Sequence, residues 1–84
     1  MHYLQIMVQY TRGVNMIMVK NRLLEIRLSM GYKKQKDFAT YLDFKQSQYN
    51  KLENNVSQLT LDQLFSIANK LKLNINEIVF YEEE

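Results

Sequence analysis

The 84 residues include no cysteine, and 46% are apolar or aromatic against 24% charged. That is enough chain for one compact domain and too little for two, and it excludes disulfides, zinc-thiolate and iron–sulfur sites and thiol chemistry. The formal charge of +2 hides an asymmetry: residues 20–54 hold eight Lys or Arg against four Asp or Glu, and residues 55–84 hold two against five, so an acidic partner is expected on the basic stretch.

The longest apolar runs, 16–19 and 78–81, are far shorter than the roughly 20 residues that cross a bilayer. No basic stretch followed by an apolar block opens the chain, so no secretory leader is read there. A cytoplasmic protein with no membrane partner is the expectation.

In chain order, Tyr3 to Tyr10 and Met16 to Val19 are rich in β-branched, aromatic and Met residues, with Thr11 to Val14 between them as a turn. Short strands are expected in this extension, residues 1–19. The alternative is that Met16 or Met18 is a natural start and the residues before it are loosely attached. Residues 20–81 form the domain proper, and residues 82–84 are an acidic, solvated tail.

With no proline and glycine only at positions 13 and 31, helix ends must be set by Asn, Asp, Ser and Thr. Asn21 is placed to cap a first helix reaching about Met30, with Leu23, Leu24, Ile26 and Leu28 as its apolar stripe and Gly31 ending it. A second helix opens at Gln35 or Lys36 and ends near Leu42, packing through Phe38, Ala39 and Leu42. The third, from about Gln46 to Asn54, has only Tyr49 and Leu52 to turn inward. Thr60 caps a fourth helix carrying Leu61, Leu64, Phe65, Ile67, Ala68 and Leu71, expected to supply most of the core. Asn74 caps a last short helical turn with Ile75 and Ile78, and Val79, Phe80 and Tyr81 follow as β-type residues.

The outward side of the third helix carries Gln46, Ser47, Asn50, Lys51 and Asn54, with no acid among them. Amide side chains pair bidentately with adenine, and Lys donates to guanine O6 and N7. Such a stripe alone is equally the solvated surface of an ordinary helix. Catalysis has little to work with: the one histidine, His2, lies near the terminus, and there is neither a phosphate-cradling Gly loop nor a Cys/His cluster or spaced carboxylate loop. No enzyme activity, metal, cofactor or small-molecule ligand is expected.

From Asn21 to Ile78 the chain resembles the phage repressor-like helix-turn-helix family, the Cro/C1-type or XRE family. The residues that carry the likeness are Ile26-Arg27, Gly31-Tyr32, Gln35-Lys36-Asp37-Phe38-Ala39, the run Gln46 to Asn54, and Leu64, Ile67-Ala68 and Leu71. The resemblance implies a mainly α, five-helix lambda-repressor-like DNA-binding domain, with short strands near both ends. It implies sequence-specific binding of double-stranded DNA, on a palindromic operator, by a homodimeric transcription regulator. Repression is the expected effect, because a lone DNA-binding domain on a promoter excludes polymerase without an activation surface.

By the same resemblance Gln46 and Ser47 read bases, with Asn50 and Lys51 one turn further on. Gln35 touches a phosphate at the head of the second helix, and Gln48 and Asn54 also face the backbone. Arg27 and Glu53 match an ion pair that ties the first helix to the third. Ala39 fits where the second and third helices cross closely. Three features depart from the family pattern. Asp43 stands at the usual turn glycine, Lys45 replaces the usual Ser or Thr cap and offers a phosphate contact, and the loop Tyr32-Lys33-Lys34 is one residue longer, leaving Lys33 or Lys34 free to reach the backbone. An interaction module, such as an antitoxin of the same fold, is the alternative function.

Overall fold

The computed structural model describes residues 19–82. Its elements are β1 (Val19–Asn21), α1 (Leu23–Ser29), α2 (Gln35–Tyr41), α3 (Gln46–Glu53), α4 (Leu61–Leu71), one 3-10 turn (Ile75–Glu77) and β2 (Val79–Tyr81). Four α-helices therefore stand where five helices were expected. The fifth is held to a single turn because the Asn74 N–H donates to Glu77 Oε2 at 2.8 Å and the Ile78 N–H returns to the Ile75 carbonyl at 3.0 Å. Beyond it the β-formers Val79, Phe80 and Tyr81 are drawn into pairing with β1.

The two strands run antiparallel, with Val19 opposite Tyr81, Lys20 opposite Phe80 and Asn21 opposite Val79. Among the described residues the pairing occupies 19–21 and 79–81. Strands expected between residues 3 and 18 lie outside the described residues. Lys20 Nζ sits 3.3 Å from Glu82 Oε1, and the Arg22 guanidinium lies 4.2 Å from the Phe80 ring centre, so the sheet and the start of α1 are fastened together.

Asn21 belongs to β1, yet its Oδ1 still accepts the Leu23 N–H at 2.9 Å and so opens α1. Gly31, at φ +87°, ends that helix in a conformation that side chains with a Cβ rarely adopt. Thr60 and Gln63 close a reciprocal capping box on α4, Gln63 N–H to Thr60 Oγ1 at 3.1 Å and Thr60 N–H to Gln63 Oε1 at 2.9 Å.

The core draws on every helix. Leu23, Phe38, Ala39, Leu42, Tyr49, Leu52, Leu64, Ile67, Ala68 and Ile78 are buried, so α4 shares the core with α2 and α3 and does not supply most of it. Two apolar pairs expected inside lie outside. Leu24 and Leu28 are exposed on α1, and on α4 Leu61 and Phe65 are 73% and 57% exposed. A helix contributes one inward stripe, here 64, 67, 68 and 71; Phe65 is turned about 100° from its neighbour Leu64, and Leu61 lies in the first turn.

Candidate nucleic-acid interface

Between α2 and α3 the chain turns through Leu42 to Lys45. Asp43 takes the left-handed conformation at φ 67°, and the Phe44 N–H reaches back to the Ala39 carbonyl at 2.8 Å. Asp tolerates this conformation better than most residues. It is also held from outside: Lys70 Nζ donates to Asp43 Oδ2 at 3.0 Å and to the Tyr41 carbonyl at 2.7 Å. That bridge offsets the acid nearest the head of α3.

Helix α3 turns Tyr49, Leu52 and Glu53 inward. At about 100° per residue, the side opposite them is the stripe Ser47, Lys51 and Asn54, flanked by Gln46 and Asn50 toward α2 and by Gln48 toward α4. All six are exposed. The Asn50 flank is fixed by a bond to Gln35 of α2, and Gln48 lines a shallow groove with Asp62 and Gln63 of α4. Lys45 precedes α3 in an extended conformation with no side-chain bond capping the helix, and Lys33 and Lys34 are exposed beside the head of α2. Lys51 thus lies on the polar ridge itself, Lys45 directly precedes it, and Lys33 and Lys34 precede the α2 residue Gln35 that bonds to Asn50.

Beneath this ridge lies the ion pair. Arg27 Nε donates to Glu53 Oε1 at 2.8 Å and Nη2 to Oε2 at 3.3 Å, with side chains only 8% and 4% exposed. Arg27 Nη1 also donates to the Tyr32 and Lys33 carbonyls at 3.0 and 2.7 Å. One guanidinium therefore fixes both α3 and the loop that carries Lys33 and Lys34.

A family model described as helix-turn-helix matches residues 23–78. The chain belongs to this family, in its Cro/C1-type branch of DNA-binding regulators. No curated protein and no solved structure matches it. In helix-turn-helix terms α2 and α3 are the motif, and α3 is the helix that stands proud of the core.

Gln35, for which the resemblance implies a phosphate contact, has its side chain engaged within the protein. Its side chain turns inward, Nε2 donating to Glu53 Oε2 at 2.8 Å and Oε1 accepting from Asn50 Nδ2 at 3.0 Å. The charged oxygen of a buried carboxylate, which Arg27 only partly satisfies at 3.3 Å, draws the amide more strongly than solvent does.

Some positioning residues carry no clear signal in the sequence. Asn21 Nδ2 donates to the Leu52 carbonyl at 2.7 Å, and Asn55 Oδ1 accepts the Asn21 N–H at 3.0 Å, so the C-terminal end of α3 is tied to β1. Asn55 itself is left-handed at φ 59°, a conformation for which asparagine after a helix is the available hint. Among the described residues no helix is long and apolar enough to cross a membrane, and no group of acidic or imidazole side chains is arranged around a metal site.

Burial opposes the charge on Glu53, but the bonds from Arg27 and Gln35 outweigh it and hold the carboxyl below its ordinary value of 4.5. Arg27 is raised, first by its bond to Glu53 and against its own burial. Burial, and then the Glu53 carboxylate, push up the Tyr49 phenol, whose hydroxyl has no hydrogen-bond partner among the described residues. A carboxyl depressed on folding contributes stability that is fully present above its unfolded value, about 4.5 here, and is lost as pH falls through the folded one. Urea midpoints between pH 7 and pH 3 are accordingly expected to fall more steeply for the native chain than for Glu53→Gln; equal slopes would show that Glu53 is not depressed.

Proposed function

We propose that this helix-turn-helix protein binds double-stranded DNA sequence-specifically as a homodimer, lays α3 in the major groove and represses transcription from a palindromic operator. The observation that carries the reading is the acid-free exposed ridge of α3, edged by lysines and aimed from below by a buried ion pair. Gln46, Ser47, Asn50 and Lys51 read base edges; Lys33, Lys34, Lys45, Gln48 and Asn54 hold the phosphate backbone. The unit extends over residues 20–81, with 1–19 as an extension and 82–84 as an acidic tail.

The dimer follows from size. One module of this kind covers about 600–1,000 Å² on DNA, whereas selective sites generally require two half-sites about one helical turn apart. Repression fits a DNA-binding unit that blocks a promoter by occupancy. The described surface favours DNA over a protein partner because its crown is polar and cationic; an apolar crown would be the mark of an antitoxin-like contact.

Titration of a mixed-sequence duplex at rising salt tests the interface. The three lysines placed on phosphates, Lys33, Lys34 and Lys45, present twice in a dimer, predict that log K falls with log salt at a slope of about −0.9 per cationic contact. No binding even at low salt would contradict the proposal. Gln46→Ala is expected to weaken the preferred site by about 1–3 kcal/mol and leave mixed-sequence binding nearly intact. Equal loss on both duplexes would remove Gln46 from base reading.

A further inference from the structure

Four side chains form a hydrogen-bond relay that has only one direction. Glu53 accepts from Arg27 at both oxygens, and its Oε2 also accepts from Gln35 Nε2. An ionised carboxylate has no proton to give. Gln35 must therefore set its nitrogen toward Glu53 and its oxygen toward α3, where that oxygen accepts from Asn50 Nδ2 at 3.0 Å. Asn50, exposed on the flank of α3, is left with Oδ1 and one Nδ2 proton unused among the described residues.

We infer that Gln35 is a positioning residue that fixes the polarity of Asn50, so that Asn50 selects adenine and rejects guanine at one base pair of each half-site. This rests on the DNA-binding function proposed above. The major-groove edge of adenine offers the N6 donor beside the N7 acceptor and complements the free oxygen and proton of Asn50. Guanine offers two acceptors, O6 and N7, and sets an acceptor against Oδ1. An unrestrained asparagine would turn its amide over to suit guanine. Here that turn breaks the bond to Gln35, and reversing Gln35 as well would set its oxygen against the Glu53 carboxylate. The buried ion pair thereby enforces a base preference on a residue it does not touch.

The test starts from the duplex that the native chain selects out of a random pool, with each adenine pair replaced in turn by a guanine pair. These duplexes are titrated with the native chain, Gln35→Met and Asn50→Ala. The native chain is expected to lose about tenfold or more at one replacement per half-site. Gln35→Met, which keeps the stem and loses the amide, brings that position near parity while the other positions keep their discrimination; Asn50→Ala abolishes the preference there. Uniform weakening of all duplexes by Gln35→Met, with the salt slope unchanged because glutamine carries no charge, would instead make Gln35 a phosphate contact and overturn the inference.

Side-chain amide resonances of the free native chain give a reading that needs no DNA. Slow exchange with solvent is expected for the Gln35 and Asn50 amides, and it should be lost in Glu53→Ala; an Asn50 amide exchanging like a free one overturns the relay. If the native chain selects no duplex, the DNA-binding function fails and the adenine preference falls with it. Protected amides would then place the fault in the partner and leave the relay intact.

Discussion

Replacing Arg27 with methionine is expected to lower the unfolding free energy by about 3–5 kcal/mol, the usual cost of leaving one charge of a buried pair uncompensated. The Glu53 side chain is 4% exposed, so water cannot readily take over the two bonds it loses. Urea unfolding followed by circular dichroism measures the effect. The double variant Arg27→Met with Glu53→Leu should be less damaged than the single one, because it removes both charges and fills the space with apolar atoms. A loss under about 1 kcal/mol for Arg27→Met would mean that the pair behaves as an exposed salt bridge.

Phe38→Ala is expected to cost a similar amount, about 3–5 kcal/mol. The Phe38 ring is wholly buried and stands edge-on to Tyr49 of α3 with ring centres 5.7 Å apart, and it is 5.1 Å from the Tyr32 ring. It joins α2, α3 and the lysine-bearing loop in one aromatic cluster, so both the cavity and the lost ring contacts count against the variant. Thermal unfolding checks the magnitude. A variant within about 1 kcal/mol of the native chain would mean that the site collapses around the missing ring, or that the helices are held chiefly by the ion pair.

The helical frame was legible because its signals are local and agree with one another. Thr60 before the apolar stripe of α4, Gly31 after α1, and Tyr49 and Leu52 as the whole inward side of α3 each follow from spacing and capping chemistry. What was not legible is set by tertiary neighbours. Phe65 and Leu61 read as core because nothing local says which sector of α4 meets α2 and α3. The fifth helix shrank to one turn because its continuation is captured by a strand about sixty residues earlier in the chain, a contact that no local pattern announces.

The same limit governs the candidate site. That the outward residues of α3 are polar could be read from spacing, and the resemblance supplied their roles. That Gln35 turns inward could not be read, because its direction is decided by a carboxylate 18 residues away along the chain. Likewise the Asn21–Asn55 tie, which anchors the far end of α3 to β1, depends on a contact spanning 34 positions.

The most direct measurement is selection of bound duplexes from a random pool at about 150 mM salt, followed by titration of the selected duplex against a scrambled one. The predicted result is a palindrome with half-sites about one helical turn apart, bound at least about a thousandfold more tightly than the scrambled sequence. Absence of binding, or binding that varies with salt but not with sequence, would contradict the account and leave the ridge of α3 as a surface for something other than base reading.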